Sequence, residues 1–159
     1  MLNRHTHRTF WIAGLGTALL SLLMASASSQ AADERSVTED GYKIVYSVFP
    51  SEFIKPDIAE QYGLIRGADR ALLNVVVTVD GKETESLGIP ASIEGEASNL
   101  LQQSQTLEFK TINEGNTVYY IAPVRHLDEE IYNFYLKVTP EGHDKAIRVQ
   151  FNKKLYKSQ

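Results

Sequence analysis

The 159-residue sequence contains no cysteine. This excludes disulfides, a catalytic thiolate and a Cys-based zinc site, and also a lipid anchor on a cysteine after the leader. Tryptophan occurs once, at Trp11, so the core tryptophan and cysteine pair of antibody domains are both missing. Histidine is scarce: beyond His5 and His7 only His126 and His143 remain. There is no G-x-S-x-G nucleophile elbow and no HExxH pair. Gly63 and Gly67 are isolated and do not make a phosphate-binding loop. Internal repeats, heptads and low-complexity tracts are absent as well.

Positive charge is not in excess. The formal net charge is −4. Residues 1–32 hold Arg4 and Arg8 and no acid, which leaves about 14 basic against 20 acidic side chains in the remainder, near −6. A nucleic-acid partner would need a basic face and is excluded. A net negative charge favours solubility. The one local basic excess is Lys153, Lys154 and Lys157. On a terminal strand, such lysines guard a sheet edge against pairing.

The N-terminus has the layout of an export signal. Arg4 and Arg8 lie before an apolar stretch over 10–25, and small residues crowd 25–31. That order predicts a signal peptide over 1–32, cleaved after Ala31 or Ala32. The apolar run is about 16 to 19 residues, marginal for a span, and Gly14, Gly16, Thr17 and Ser21 interrupt it. A periplasmic protein is therefore expected, with no stable membrane insertion after cleavage. The mature chain is long enough for one domain that is stable on its core. A flexible segment over 33–41 and a single domain over 42–159 are predicted.

Within that domain the pattern is mostly of period two. Tyr42, Ile44, Tyr46 and Val48 alternate with Lys43, Val45, Ser47 and Phe49, which reads as a strand. Residues 72–79 are apolar on both faces and read as a central strand. Asp80-Gly81 is a hairpin signal, with a return strand expected over 83–87. Further strands are expected over 106–112, 117–124, 131–139 and 146–155, separated by Gly- or Pro-bearing turns. Residues 98–105 carry no clear signal beyond a possible helical turn through Leu100 and Leu101. The one helical candidate is 51–63, with Pro56 suited to a first turn, Asp57 and Glu60 at its positive end, and Gly63 at its C-terminus. Two turns cannot stand alone, so the apolar face of this piece must pack on something larger. The fold class is all-β: an immunoglobulin-like antiparallel β-sandwich of about seven strands, with one short helix after the first strand. A lipocalin-type barrel is the second choice.

Two polar connections are the candidate sites. Arg66, Asp69 and Arg70 lie between the helix and the central strand. A buried Arg66 would need a carboxylate or several carbonyls and would latch helix to sandwich. The 125–130 connection holds Arg125, His126, Asp128 and Glu130, which include the ligand types of a divalent metal. A solvated acidic turn accounts for the same residues. A hydrolase triad would have to use His126 or His143. The carboxylate pairs Glu83 with Glu85 and Glu94 with Glu96 read as a wet sheet face. Tyr119, Tyr132 and Tyr135 either cover sheet surface or anchor a protein or glycan partner.

Tyr62, Gly63, Ile65, Arg66 and Asn74 in YGLIRGADRALLNVVV resemble a block of the bacterial secreted family known as domain of unknown function 4426. VYYIAPVRHLDEEIYNFYLKVTP and AIRVQFNKKLY are similar to its final third. The resemblance spans 42–155. It implies an exported, single-domain β-sandwich and brings no catalytic residues. The expected function is a periplasmic binding or accessory module of the envelope, without catalysis or cofactor, whose partner is an envelope protein. The alternative is a small-ligand or metal-binding protein using the 125–130 loop.

Overall fold

The computed structural model describes residues 34–82 and 88–158. The leader over 1–32, the return strand over 83–87 and the Glu83/Glu85 pair lie outside the described residues. Nine strands appear within them: β1 (Arg35–Glu39), β2 (Tyr42–Pro50), β3 (Arg70–Val79), β4 (Ala91–Asn99), β5 (Ser104–Thr106), β6 (Lys110–Glu114), β7 (Thr117–Arg125), β8 (Glu130–Pro140) and β9 (Ile147–Leu155). A 3₁₀ turn (Ser51–Phe53) and a short helix α1 (Pro56–Gln61) separate β2 from β3. One sheet has the order β1-β2-β3-β7-β6 and the other β5-β4-β8-β9, with all strand pairs antiparallel.

The period-two pattern buries one face of each sheet against the other. Ile44, Leu73, Val75, Val77, Ala122 and Val124 of the first sheet meet Phe134, Leu136, Val138, Ile147 and Val149 of the second. An aromatic column crosses this core. Phe134 stacks on Phe151 at 4.6 Å, and Phe151 stacks on Tyr46 at 4.4 Å. Such contacts add about 0.5–1.5 kcal/mol each beyond the area they bury.

The strand expectations need three corrections. The segment expected to be flexible, 33–41, contains β1, which pairs along β2 from Arg35↔Tyr46 to Glu39↔Tyr42. Residues 91–99, which fall outside every expected strand, form β4, the partner of β8. A Cβ at Gly95 would come 2.7 Å from Leu136 Cδ2 and 3.1 Å from Leu107 Cδ1 and Phe109 Cε2. The glycine therefore admits the crossing segment 107–109. The single strand expected over 106–112 is split there: β5 belongs to the second sheet and β6 to the first.

α1 does what a two-turn helix must. Its Ala59, with Leu64, packs on Leu72, Ile112 and Ile121, the outer face of the first sheet. Gly63 ends it at φ +59°. Lys110 Nζ, reaching across from β6, donates to the carbonyls of Tyr62 and Gly63 at 2.9 and 2.7 Å, a cation placed on the helix's negative end.

Candidate functional site

The strand registers bring the two candidate connections to one end of the sandwich. β3 starts where β7 ends, with Arg70 opposite Arg125. β8 starts where β9 ends, with Glu130 opposite Leu155. The 51–69, 100–103 and 126–129 connections and the residues after Leu155 therefore share this loop end. Turns at 40–41, 115–116 and 141–146 lie at the other.

Asp69 joins the two candidate groups. Its carboxylate lies 3.4 Å from Arg125 Nε and 3.9 Å from Arg70 Nε. Its carbonyl accepts from the His126 N–H at 3.0 Å. The Arg125 side chain is three-quarters exposed, so that ion pair contributes little, about 0–1 kcal/mol. The backbone bond is what fixes the spacing of the loops.

Arg66 is exposed and makes one long bond, Nη2 to the Glu52 carbonyl at 3.2 Å. It is not the buried latch that the sequence allowed. Ser51 takes that place. It is 0% exposed. Its Oγ donates to the Gly67 carbonyl at 3.1 Å and accepts from the Gly67 N–H at 3.0 Å. A neutral hydroxyl satisfies both backbone groups without the desolvation cost of a buried guanidinium. Ser51 carried no sequence signal beyond following Pro50.

Gln105 is a second tie that the sequence did not reveal. Its amide Nε2 donates to the Arg125 carbonyl at 2.7 Å, and its Oε1 accepts from the Arg125 N–H at 3.0 Å. It thus binds β5 of one sheet to the end of β7 in the other. The C-terminal residues close the same end: the Lys157 N–H donates to Asp128 Oδ1 at 2.9 Å, and the Ser158 N–H to the Ala68 carbonyl at 3.2 Å.

The 125–130 loop is only partly the solvated turn expected of it. His126 is 3% exposed, and its Nδ1 donates to the Leu127 carbonyl at 2.9 Å. In the neutral ring this leaves Nε2 as the lone-pair nitrogen. Asp128 is committed to Lys157, and Glu130 Oε2 accepts from the Tyr132 hydroxyl at 2.9 Å. Burial, then this bond and the Glu130 charge, push the Tyr132 pKa above its ordinary value. Glu129 holds Lys154 at 2.9 Å, which raises the lysine pKa. The three proposed metal ligands thus have separate partners. No group of three His, Asp or Glu side chains among the described residues could hold a metal ion. A cleft of about 480 Å³ remains, lined in part by Asp69, Asn99, Gln105, Arg125, His126 and Tyr132.

The loop end is also the apolar end. Phe53, Ile65, Leu100, Leu101, Leu127 and Tyr156 are exposed there, six of the eight exposed large apolar residues among those described. The signal was present in the sequence only as apolar residues scattered through the helical candidate and the stretches outside the expected strands.

The family model for the domain of unknown function DUF4426 matches residues 36–158. The chain belongs to this family. A crystal structure of a DUF4426 family protein from Pseudomonas aeruginosa is 28% identical, with a TM-score of 0.70 over 79% of this chain and 97% of that one. FetP of a uropathogenic E. coli strain, recombinantly expressed in the periplasm of E. coli, is 14% identical, with a TM-score of 0.57 over 81% of this chain and 97% of that one. A copper-bound variant of FetP is also 14% identical, with a TM-score of 0.56 over 80% of this chain and 93% of that one. At that identity the likeness to FetP is one of fold. None of the curated proteins matches the chain.

Proposed function

We propose that this DUF4426 family member is a non-catalytic binding or accessory module of the bacterial envelope, working in the periplasm once the leader is removed. The observation that carries the reading is the concentration of exposed apolar side chains at the loop end, on connections held in place by Ser51, Asp69 and Gln105. Contiguous exposed apolar surface marks interaction sites, and apolar anchors ringed by polar groups supply most of an interface's energy. The expected partner is an envelope protein. A single sandwich domain beginning at β1 is the unit of action. The orders β2-β3-β7-β6 and β5-β4-β8-β9 support the immunoglobulin-like arrangement, with β1 added at the first sheet's edge. The periplasmic expression of FetP, a protein of similar fold, supports the compartment.

The test is photo-crosslinking in intact cells. A crosslinking residue at Leu101 yields a discrete protein adduct, and Leu127→Asp removes it. The same residue at Glu114, at the opposite end, yields none. No adduct from Leu101, or identical adducts from both ends, would overturn the reading.

A second reading, small-ligand binding, rests on the cleft beside His126. Its metal version finds no support in the separate partners of His126, Asp128 and Glu130. Saturation of a copper titration at one equivalent would restore it.

A further inference from the structure

The outer face of the second sheet carries a lattice that the loop end does not involve. Register places Glu96, Tyr135 and Gln150 side by side on β4, β8 and β9. Two residues along, Ser98, Asn133 and Asn152 form the next row on the same face. Two residues the other way, the row is Glu94, Lys137 and Arg148. Tyr135 stands at the centre, 46% exposed, with a polar side chain at every neighbouring position of its face. Three shallow depressions meet at it, of about 460, 440 and 210 Å³. Among the described residues, these side chains are tied to one another only by the exposed Glu94–Lys137 pair at 4.0 Å. The amides of Asn133, Gln150 and Asn152 keep their donors and acceptors for something else.

We propose that this face is a saccharide-binding site, with a pyranose ring seated on Tyr135 and its hydroxyls held by the surrounding amides and Glu96. Several features select that chemistry. A sugar presents an apolar C–H face and a rim of groups that both donate and accept. Tyr135 offers a flat apolar surface at the centre of the grid. Strands lie about 4.8 Å apart, and same-face residues about 6.8 Å apart along a strand, which is the scale of one ring and its substituents. A protein partner or a second copy fits less well, because the cores of such interfaces are depleted in charge while this face carries both signs around one aromatic. A nucleic acid would need a basic face, and Glu94 and Glu96 offset Lys137 and Arg148. The ligand is therefore a neutral, hydroxyl-rich oligosaccharide. One stacking residue on an open face implies weak binding, with a Kd of about 1–10 mM.

The experiment titrates ¹⁵N-labelled protein purified from the periplasm with two probes, N,N′,N″,N‴-tetraacetylchitotetraose and maltotetraose. With at least one probe, the side-chain NH₂ signals of Asn133, Gln150 and Asn152 shift saturably. Tyr135→Ala weakens that binding at least tenfold while circular dichroism stays unchanged, and Tyr135→Phe, which keeps the ring, stays within about twofold. Gln150→Ala gives an intermediate loss. No saturable shift with either probe up to about 50 mM would overturn the proposal. So would undiminished binding by Tyr135→Ala, or a concentration-dependent dimer that Tyr135→Ala abolishes.

Discussion

Ser51 and Arg66 make opposed claims on the same connection, and substitution separates them. In wild type the Ser51 hydroxyl makes two hydrogen bonds to Gly67, at 3.0 and 3.1 Å, from a fully buried position. Ser51→Ala removes one oxygen, leaves no large cavity, takes the partner from the Gly67 N–H and takes one of two donors from the Gly67 carbonyl, which keeps the Arg70 N–H at 3.1 Å. Each bond contributes about 0.5–1.5 kcal/mol net. Gly67 itself is half-buried, so water can recover part of the loss. The expected cost is about 1–3 kcal/mol. For a domain of this size that lowers Tm by roughly 3–12 °C. Arg66→Ala removes one exposed bond of 3.2 Å and should cost at most about 0.5 kcal/mol. Urea melts at constant m value give both numbers. Because Gly67 leads directly to Asp69, whose carbonyl holds the His126 N–H, Ser51→Ala should also speed hydrogen exchange at His126 more than at Leu136. If Arg66→Ala cost as much as Ser51→Ala, or Ser51→Ala stayed within about 0.3 kcal/mol of wild type, the assignment of the latch to the hydroxyl would fail.

Two further outcomes are expected. At Gly88 a Cβ would lie 2.7 Å from both the backbone nitrogen and the carbonyl oxygen of Val118, whereas at Gly115 it would meet nothing within 4 Å. Gly88→Ala must displace strand β7 and should cost about 3 kcal/mol or more, against about 1 kcal/mol for the backbone strain of Gly115→Ala; thermal melts showing the reverse order would contradict the packing. The raised Tyr132 pKa means that the folded protein keeps a proton which the unfolded chain releases near pH 10. The contribution is fully present below that pH and is lost as pH rises toward the folded value. Tyr132→Phe should therefore flatten the alkaline limb of the stability curve, and an unchanged slope in denaturant melts between pH 9 and 11 would count against it.

The strands legible in the sequence were those whose inward residues are large. β2, β3, β7, β8 and β9 bury Ile, Val, Leu, Phe or Tyr at alternate positions, and that alternation is visible in one dimension. β4 alternates as strictly, but its inward positions include Gly95 and Ala97, because the space they leave is filled by Leu107 and Phe109 from the crossing segment. Such a strand shows its polar face, Glu94 and Glu96, more clearly than its apolar one. β1 has the sequence RSVTE and owes its structure to the ladder offered by β2. The candidate site was half legible. That the 66–70 and 125–130 connections mattered together could not be read, since their meeting depends on which strands are neighbours. Arg66 drew attention through its charge, yet burial selected the smaller and neutral Ser51.

The ties at the loop end nearly all have a backbone atom on one side. Ser51 holds Gly67 by its N–H and carbonyl, Asp69 holds His126 through the main chain, Gln105 brackets the Arg125 peptide, and Ser158 reaches the Ala68 carbonyl. Backbone partners are present whatever side chain occupies the position. Three consequences follow. The shape of this end depends little on ionic strength, because the ion pairs that tie its loops among the described residues, Asp69–Arg125 and Glu129–Lys154, lie at the surface and are screened. Phe53, Leu100, Leu101 and Leu127 stand on held connections and are themselves exposed, so substituting them changes what the surface can bind at a cost to stability usually within about 0.5 kcal/mol. The surface of this end can therefore vary without refolding the sandwich, and a loss of the proposed binding on changing these side chains, with Tm unmoved, reports contact and not collapse.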